Sequence, residues 1–513
     1  MADLVRRQAR ERPEAIALSF EDRQQSYAEF DRRASQVANA LAGLGVRPGD
    51  RVAILARNSD RFFELFFGCA KAGAVLVPVN YRLAPPEIAQ VVNDSHARLF
   101  VVGRDYLAVA RALRPQLPRL AHLIGQDGPA EGFLDYAAWR EGASAEDPRL
   151  AVAPDDVVLQ MYTSGTTGLP KGAQLTHGNL GGLLPAAVDE WAGFSPQDVN
   201  LVCLPLFHIG GAGWGFLGLH VGCRNVVLAE ADPGRVLDCL ARERVTQTIF
   251  VPALILFLLQ HPECGTTDFS SLKTIYYGAS PIPFDLVKAA VARFGCGFCQ
   301  LYGLTETTGA IVFLPPVEHD LARPERMRSC GKPMSTVELR VVDAEGKDCA
   351  PGQVGEIVCR SGQVMKGYWN MAEATAKAIR DGWLQTGDAG YLDADGYLYI
   401  HDRVKDMIVS GGENIYPAEV ESALFGHPAV ADVAVIGVPD EQWGETVKAI
   451  VVRKPGMPLS AQDLLGFARQ RVAGYKLPRS VDFVEALPRN PSGKILKREL
   501  RRPYWQGHER QVN

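Results

Sequence analysis

The chain has no surplus of positive charge. Its 54 Lys and Arg stand against 59 Asp and Glu, for a net charge of −5. With no basic excess to displace counterions from a phosphate backbone, nucleic acid is excluded as a principal partner. Basic residues gather only locally, at Lys494, Lys497, Arg498, Arg501 and Arg502, and read there as a solvated helix face. The ten cysteines are scattered, and only Cys296 and Cys299 have the spacing of a metal or redox pair. No second pair or histidine couple completes a zinc site. The opening residues MADLVRR carry no signal-peptide pattern, so reduced thiols and a cytoplasmic location are expected. An uninterrupted membrane-spanning run is missing too. Residues 199–223 are uncharged, but five glycines within 210–218, Pro205, Asn200 and two histidines break them. A buried strand, a loop and a helix are expected there instead of an integral membrane segment. Internal repeats and low-complexity segments are also lacking.

What is present is length and alternation. At 513 residues the chain exceeds one ordinary core, and two or three domains are expected. Residues 26–44 show helical apolar spacing through Tyr27, Phe30, Ala34, Val37, Ala38 and Leu41, ending at Gly43 and Gly45. Residues 52–55, 75–79 and 99–102 read as short strands, with an amphipathic helix over 61–72 between the first two. Strands alternating with helices predict an α/β fold with parallel-sheet layers. Residues 127–154, rich in Ala, Gly, Pro and charge, read as a surface connection.

After an apolar strand at 157–161 comes residues 162–172, YTSGTTGLPKG. Glycines let backbone N–H groups approach an anion, hydroxyls add donors, and Lys171 supplies a positive charge suited to a polyphosphate. A helix starting near Thr176, an acceptable N-cap, is expected to add its dipole. A Walker A loop is rejected by spacing, since the lysine follows Pro170 and precedes Gly172. A plain surface turn is the bland alternative. The stretch resembles, position for position, the signature loop of the adenylate-forming superfamily of acyl-CoA synthetases, aryl-CoA ligases, luciferases and peptide-synthetase adenylation domains.

That resemblance extends through at least five further motifs in family order. It implies a large N-terminal AMP-binding domain over 1–403 and a small mobile α+β lid over 404–513. Thr163, Ser164, Gly165, Thr166, Thr167, Gly168 and Lys171 would cradle phosphates. In LPLFHIGG (204–211), His208 would orient the substrate carboxylate and gate the acyl pocket; by itself, a lone His on an apolar segment reads as core. In TIYYGASP (274–281) and GFCQLYGLTET (297–307), Gly278, Ala279, Gln300 and Gly303 would line the nucleotide site and Tyr302 would stack on adenine. Thr305 would donate to a phosphate and Glu306 would hold Mg²⁺, a hard cation that prefers oxygen ligands. Leu301 stands where many aryl-CoA ligases have Gly, leaving that pocket wall open. Asp388, read as sitting in a tight glycine-flanked turn, would accept the ribose hydroxyls. Arg403 would contact the ribose, Lys405 would be the hinge, Gly411 and Gly412 would line the pantetheine tunnel, and Trp443 would lie on the CoA side. Lys494, in PRNPSGKIL (488–496), corresponds to the superfamily's catalytic lysine.

The reaction implied has two steps, acyl-AMP formation from ATP with loss of pyrophosphate, then acyl transfer to CoA with loss of AMP. Residues 204–213 contain no acid to pair an α-amine, so a substrate without one is favoured. Trp214, Phe216, Leu217, Leu219, Tyr277 and residues 250–259 including Phe257 supply apolar walls. They favour a medium- or long-chain fatty acid. An aryl-CoA ligase for benzoate-like or hydroxycinnamate-like acids is the alternative, since Trp214, Tyr276 and Tyr277 serve a ring as readily as a chain. A non-catalytic acyl- or nucleotide-binding homologue is disfavoured by the intact Lys171, Glu306, Asp388, Arg403 and Lys494. A homodimer is left open.

Overall fold

The computed structural model describes residues 1–163, 170–191, 193–280, 282–403, 406–410, 413–440, 443–489 and 493–506. The expectations for Ser164, Gly165, Thr166, Thr167, Gly168, Lys405, Gly411 and Gly412 lie outside the described residues, and so does the side chain of Arg403.

Helix Tyr27–Gly43 forms where the apolar spacing predicts it. Ser26 caps it, its side chain accepting from the Glu29 N–H at 3.2 Å. Tyr27, Phe30, Ala34, Val37 and Leu41 are fully buried. Helix Asp60–Ala72 packs beside it and ends at Gly73, whose φ of 67° is the left-handed cap that glycine adopts without strain. Phe30 meets Phe67 edge to face at 5.4 Å, and Phe66 stacks on Phe216 at 4.1 Å. Full burial of each such ring contributes about 2 kcal/mol.

Two large sheets carry the N-terminal four-fifths. One has eight strands, in the order Gly367–Tyr368, Lys171–Thr176, Val157–Thr163, Val75–Pro78, Arg51–Leu55, Leu99–Val102, His122–Gly125 and Leu134–Asp135. The other has nine, from Lys332–Pro333 through Gly309–Leu314, Gly297–Leu304, Thr274–Gly278, Gln247–Phe250, Val199–Val202, Arg224–Val227 and Ile16–Phe20 to Arg23–Ser26. Both sheets are mostly parallel. Each therefore presents its carboxyl ends along one edge, where α/β proteins bind ligands. A five-stranded, mainly antiparallel sheet includes Trp383–Leu392 and Leu398–Arg403. A last sheet, built on Val430–Asp440 and Gly444–Arg453 with helices Pro417–Phe425 and Ala461–Ala468, has its own apolar core.

Two expectations change. Residues 127–154 are more than a connection: Asp135 caps helix Tyr136–Glu141, Tyr136 is fully buried, and Arg140 donates to the buried Glu64 at 2.8 Å. The basic C-terminal cluster is partly paired, Lys497 with Glu421 at 2.9 Å and Arg501 with Asp406. Residues 199–223 form strand Val199–Val202, a loop and helix Ile209–Val221, and no described helix is long and apolar enough to cross a membrane. Cys296 and Cys299 lie beside and within strand Gly297–Leu304.

Lys71 is fully buried and donates to Asp31 at 2.6 Å, Asp147 at 2.8 Å and the Ser35 hydroxyl at 2.8 Å. Arg6 grips Asp147 from the other side, so the cluster ties the first three helices to the 143–149 segment. Replacing Lys71 by Met leaves carboxylates facing each other with one cation fewer, and about 3 kcal/mol of stability is expected to be lost. Urea denaturation checks this; an unchanged midpoint would show the network to be structurally idle.

Candidate active site

The phosphate-loop expectation is framed by two described ends. Strands Val157–Thr163 and Lys171–Thr176 run antiparallel with Thr163 opposite Lys171, so both flanks of the loop stand at the carboxyl edge. Thr176 does cap a helix, exchanging hydrogen bonds with Asn179 at 3.0 and 2.8 Å. The expected dipole is misplaced, however. The whole strand Lys171–Thr176 separates that cap from Lys171, roughly 16 Å at ~3.3 Å per residue, and helix-terminal fields fade within a turn.

Lys171, Glu306 and Tyr368 come together. The Lys171 ammonium lies 5.1 Å from the centre of the Tyr368 ring, and the Tyr368 hydroxyl donates to Glu306 Oε1 at 2.8 Å. Strand Gly367–Tyr368 pairs with Lys171–Thr176, and Trp369 locks it there: its main-chain N–H donates to the Gly172 carbonyl at 2.8 Å, its indole N–H to the Asp94 carbonyl at 2.9 Å, and the Arg51 guanidinium lies 3.5 Å from its ring centre. The sequence analysis gives Tyr368 no role. Its signal was only adjacency in a short Gly-Tyr-Trp-Asn run.

On the nine-stranded sheet, Gly278 ends strand Thr274–Gly278 where a Cβ would collide with the Leu301 carbonyl oxygen. Ala279 follows at φ 67°, a left-handed conformation rare for a residue with a side chain. Gly303 lies under the Gly309 carbonyl, which likewise leaves no room for a Cβ. Thr305 and Glu306 follow the carboxyl end of strand Gly297–Leu304. The Tyr302 hydroxyl donates to Asp388 Oδ2 at 2.8 Å; burial first, then the Asp388 charge, hold that phenol well above its ordinary pKa. Asp388 is not in a turn. It sits inside the ten-residue strand Trp383–Leu392, in register with Arg403 on Leu398–Arg403.

Behind these groups, the Tyr277 hydroxyl lies 2.9 Å from His319 Nε2 and 3.2 Å from Gln300 Oε1, and the Tyr277 ring is fully buried. Trp214 is 3% exposed, its indole N–H donating to the Leu201 carbonyl at 3.1 Å and its ring packed on Tyr276 at 4.8 Å and Phe194 at 5.3 Å. Phe257, expected in the apolar wall, is 46% exposed; the uniformly apolar helix Pro252–Gln260 turns that position outward.

His208 occupies the N-cap position of helix Ile209–Val221. Its Nε2 is buried and has no hydrogen-bond partner among the described residues. Burial, then the charge of Arg82, lowers its pKa to about 4, so the ring is neutral at pH 7. Lys494 stands on a loop pinned by Arg489, which donates to the Gly493 carbonyl at 2.6 Å and pairs with Asp432 at 2.5 Å. The Gly493 Cα faces Val251 and Ala253, just past the carboxyl end of strand Gln247–Phe250. That brings the Lys494 loop to the same edge as the other groups. Trp443 lies just before strand Gly444–Arg453 of the last sheet, 36% exposed, with the Arg479 guanidinium 5.4 Å from its ring centre.

Comparison with known proteins follows this layout. The family model described as AMP-binding enzyme matches residues 5–369, and that described as AMP-binding enzyme C-terminal domain matches 419–494. The chain belongs to the AMP-binding enzyme family. It is 40% identical over 509 residues to the fatty acid–[acyl-carrier-protein] ligase ScoC of Streptomyces coeruleorubidus, covering 98% of this chain and 96% of that one. It is 43% identical over 500 residues to the feruloyl-CoA synthase of an Amycolatopsis species, covering 97% and 98%. Its fold matches the crystal structure of the anthranilate CoA ligase AuaEII with anthranoyl-AMP at a TM-score of 0.92, with 30% identity and coverage of 98% and 96%. As a member of this family the protein is an AMP-forming acid–thiol ligase, and its mixed α/β layers with a smaller C-terminal domain are those of the superfamily's ligases.

Burial lowers the pKa of His220 and His319 to about 4, as it does for His208. Below about pH 6.5 an unfolded chain takes up protons on these rings that the folded chain refuses until about pH 4, so stability falls as pH drops through that window. The urea midpoint is expected to decline between pH 7 and 5. A midpoint that holds or rises would show that these rings are solvated.

Proposed function

We propose that this AMP-binding enzyme condenses an apolar carboxylic acid with ATP to an acyl-adenylate, releasing pyrophosphate, and then passes the acyl group to the thiol of CoA, releasing AMP. The observation that carries the proposal is the gathering, where the carboxyl edges of the two large sheets meet, of the Lys171–Tyr368–Glu306 chain, the Tyr302–Asp388 pair, His208 and the Lys494 loop.

In this reading a carboxylate oxygen attacks the α-phosphorus as the bond to the β-phosphate oxygen breaks. Lys171 holds phosphate oxygens, and the Lys494 ammonium lies between the carboxylate and the α-phosphate, offsetting charge that grows in the transition state. Neutral His208 offers its unpartnered Nε2 to the carboxylate. Asp388 and Arg403 hold the ribose, and Tyr302 lies against the adenine with Gly278, Ala279, Gln300 and Gly303 around it. Glu306 would hold a Mg²⁺ ion, a hard cation that takes oxygen ligands, and the ion would supply neutralising charge to the polyphosphate. The boundary at 403/404, the Lys405 hinge and the CoA-side roles of Gly411, Gly412 and Trp443 complete the proposal.

For the acid, a medium- or long-chain fatty acid is the first reading. It is supported by the absence of an acid in 204–213 and by the fatty-acid relative ScoC. An aryl acid is the second, supported by the aromatic cluster of Trp214, Tyr276 and Phe194, rings that would serve an aryl group as readily as a chain, and by the feruloyl-CoA synthase relative. Pyrophosphate and AMP release should be measured with fatty acids of graded length, benzoates and hydroxycinnamates, with and without CoA. CoA-dependent AMP release with a fatty-acid series is expected. Turnover confined to ring acids overturns the first reading, and turnover only with an acyl-carrier protein overturns the choice of acceptor.

Lys494→Ala should lower pyrophosphate release by at least 100-fold, a loss of electrostatic stabilisation of the size expected for such a group. It should leave thioester formation from supplied acyl-AMP within a few-fold of wild type. Equal losses in both half-reactions would remove Lys494 from the adenylation step.

A further inference from the structure

His208 owes its place to a side chain 150 residues earlier. Asn58 follows strand Arg51–Leu55 of the eight-stranded sheet, yet its amide reaches the main chain of the nine-stranded one. The side-chain N–H₂ donates to the Leu204 carbonyl at 3.0 Å and the Leu228 carbonyl at 3.1 Å, with the Cys203 carbonyl at 3.5 Å, while Oδ1 accepts from the Leu206 N–H at 2.9 Å. Asn58 is 3% exposed, so these are exchanges made away from water. Leu204 and Leu206 belong to the loop that carries His208, and Leu228 follows the neighbouring strand Arg224–Val227.

The far side of the loop is equally confined. The His208 N–H donates to the Pro205 carbonyl at 3.1 Å, the Gly211 and Ala212 N–H groups donate to the His208 carbonyl, and a Cβ on Gly211 would strike the Leu204 and Pro205 carbonyl oxygens. Phe207 is held edge-on against Tyr81 at 5.1 Å. The loop is thus pressed between the helix it starts and the Asn58 amide. Only a short side chain with two donors and an acceptor can meet these three groups at once. Asp keeps the acceptor and loses both donors, and Ala loses all three.

We propose that Asn58 is a positioning residue for acid activation, joining the carboxyl edges of the two sheets and fixing the loop so that His208 presents its Nε2 to the substrate carboxylate. This rests on the ligase reading given above and on the role it assigns to His208. A shift of about 1 Å in a positioning group costs on the order of 100-fold in rate, so the loop needs a rigid anchor.

The test is a double-mutant cycle on acid-dependent pyrophosphate release, with Asn58→Ala, Asn58→Asp, His208→Ala and the paired variants. Asn58→Ala alone is expected to lower kcat/KM for the acid by 10- to 100-fold with KM for ATP within about 2-fold of wild type, and to cost less than 3-fold when His208 is already Ala. Equal losses in both backgrounds overturn the proposal, since Asn58 would then not act through His208. An undiminished rate in His208→Ala overturns it as well. Should Asn58→Ala fail to fold, Asn58→Asp carries the same cycle. In parallel, ¹⁵N-histidine spectra, with the His208 signal assigned by its loss in His208→Ala, should show that resonance displaced or broadened in the Asn58 variants while the other imidazoles stay in place. This measurement does not depend on turnover. If no acid supports turnover and the spectrum changes as expected, the ligase reading fails while the anchoring stands; an unmoved His208 signal overturns the anchoring itself.

Discussion

A parallel sheet runs out of strand partners at its carboxyl edge, and the main-chain groups there must be satisfied by side chains, loops or ligands. In this protein two such edges face each other. Asn58 supplies donors and an acceptor across the seam, and the strand ends and loops there carry Lys171, His208, Gly278 and Glu306. The position of the site follows from that constraint. Groups that the ladders cannot satisfy collect where the two edges meet, and a polyanionic nucleotide with many acceptors is a ligand such an edge can hold.

The charges at this edge are kept apart by geometry. Tyr368 stands between Lys171 and Glu306, its ring face to the ammonium and its hydroxyl to the carboxylate. A direct contact between ammonium and carboxylate would spend both charges on each other and would have to be broken before phosphate or cation could bind. A neutral phenol holds the two in place at a smaller desolvation cost than a bare buried pair. The strand that carries Tyr368 is short, and its rigidity is supplied by Trp369, which is fastened to the hairpin and to Arg51.

Much of the fold was legible because its signals are local. Helix Tyr27–Gly43, with its cap and apolar stripe, and the runs at 52–55, 75–79 and 99–102 need only neighbouring residues to be read. What failed was long-range. Asp388 reads as a turn from its flanking glycines, but its strand is set by pairing with Gly355–Ser361 on one side and Leu398–Arg403 on the other. Tyr136 and Arg140 read as surface because their partner, Glu64, lies more than 70 residues away. Phe257 reads as a pocket wall because helix Pro252–Gln260 is apolar up to its last residue and offers no periodicity to tell inside from outside. The site motifs were readable as a set by resemblance, whereas Tyr368 and Asn58 act through contacts that no spacing announces.

The Lys494 loop shows how a group proposed to leave the site can still be held firmly on its own sheet. Arg489 holds the loop from within, bonding the Gly493 carbonyl and Asp432 on strand Val430–Asp440 of the last sheet. These contacts move with that sheet if it rotates as proposed, so the loop would keep its form. Its contact with the large domain at Gly493 is of another kind, a glycine against the small apolar side chains of Val251 and Ala253. Apolar contacts that small are worth about 1 kcal/mol or less, and they have no angular demands to break. Polar bonds thus tie the loop to its own sheet, while at Gly493 it meets the large domain through apolar contact, an arrangement that would suit a lysine leaving the edge in the proposed rotation.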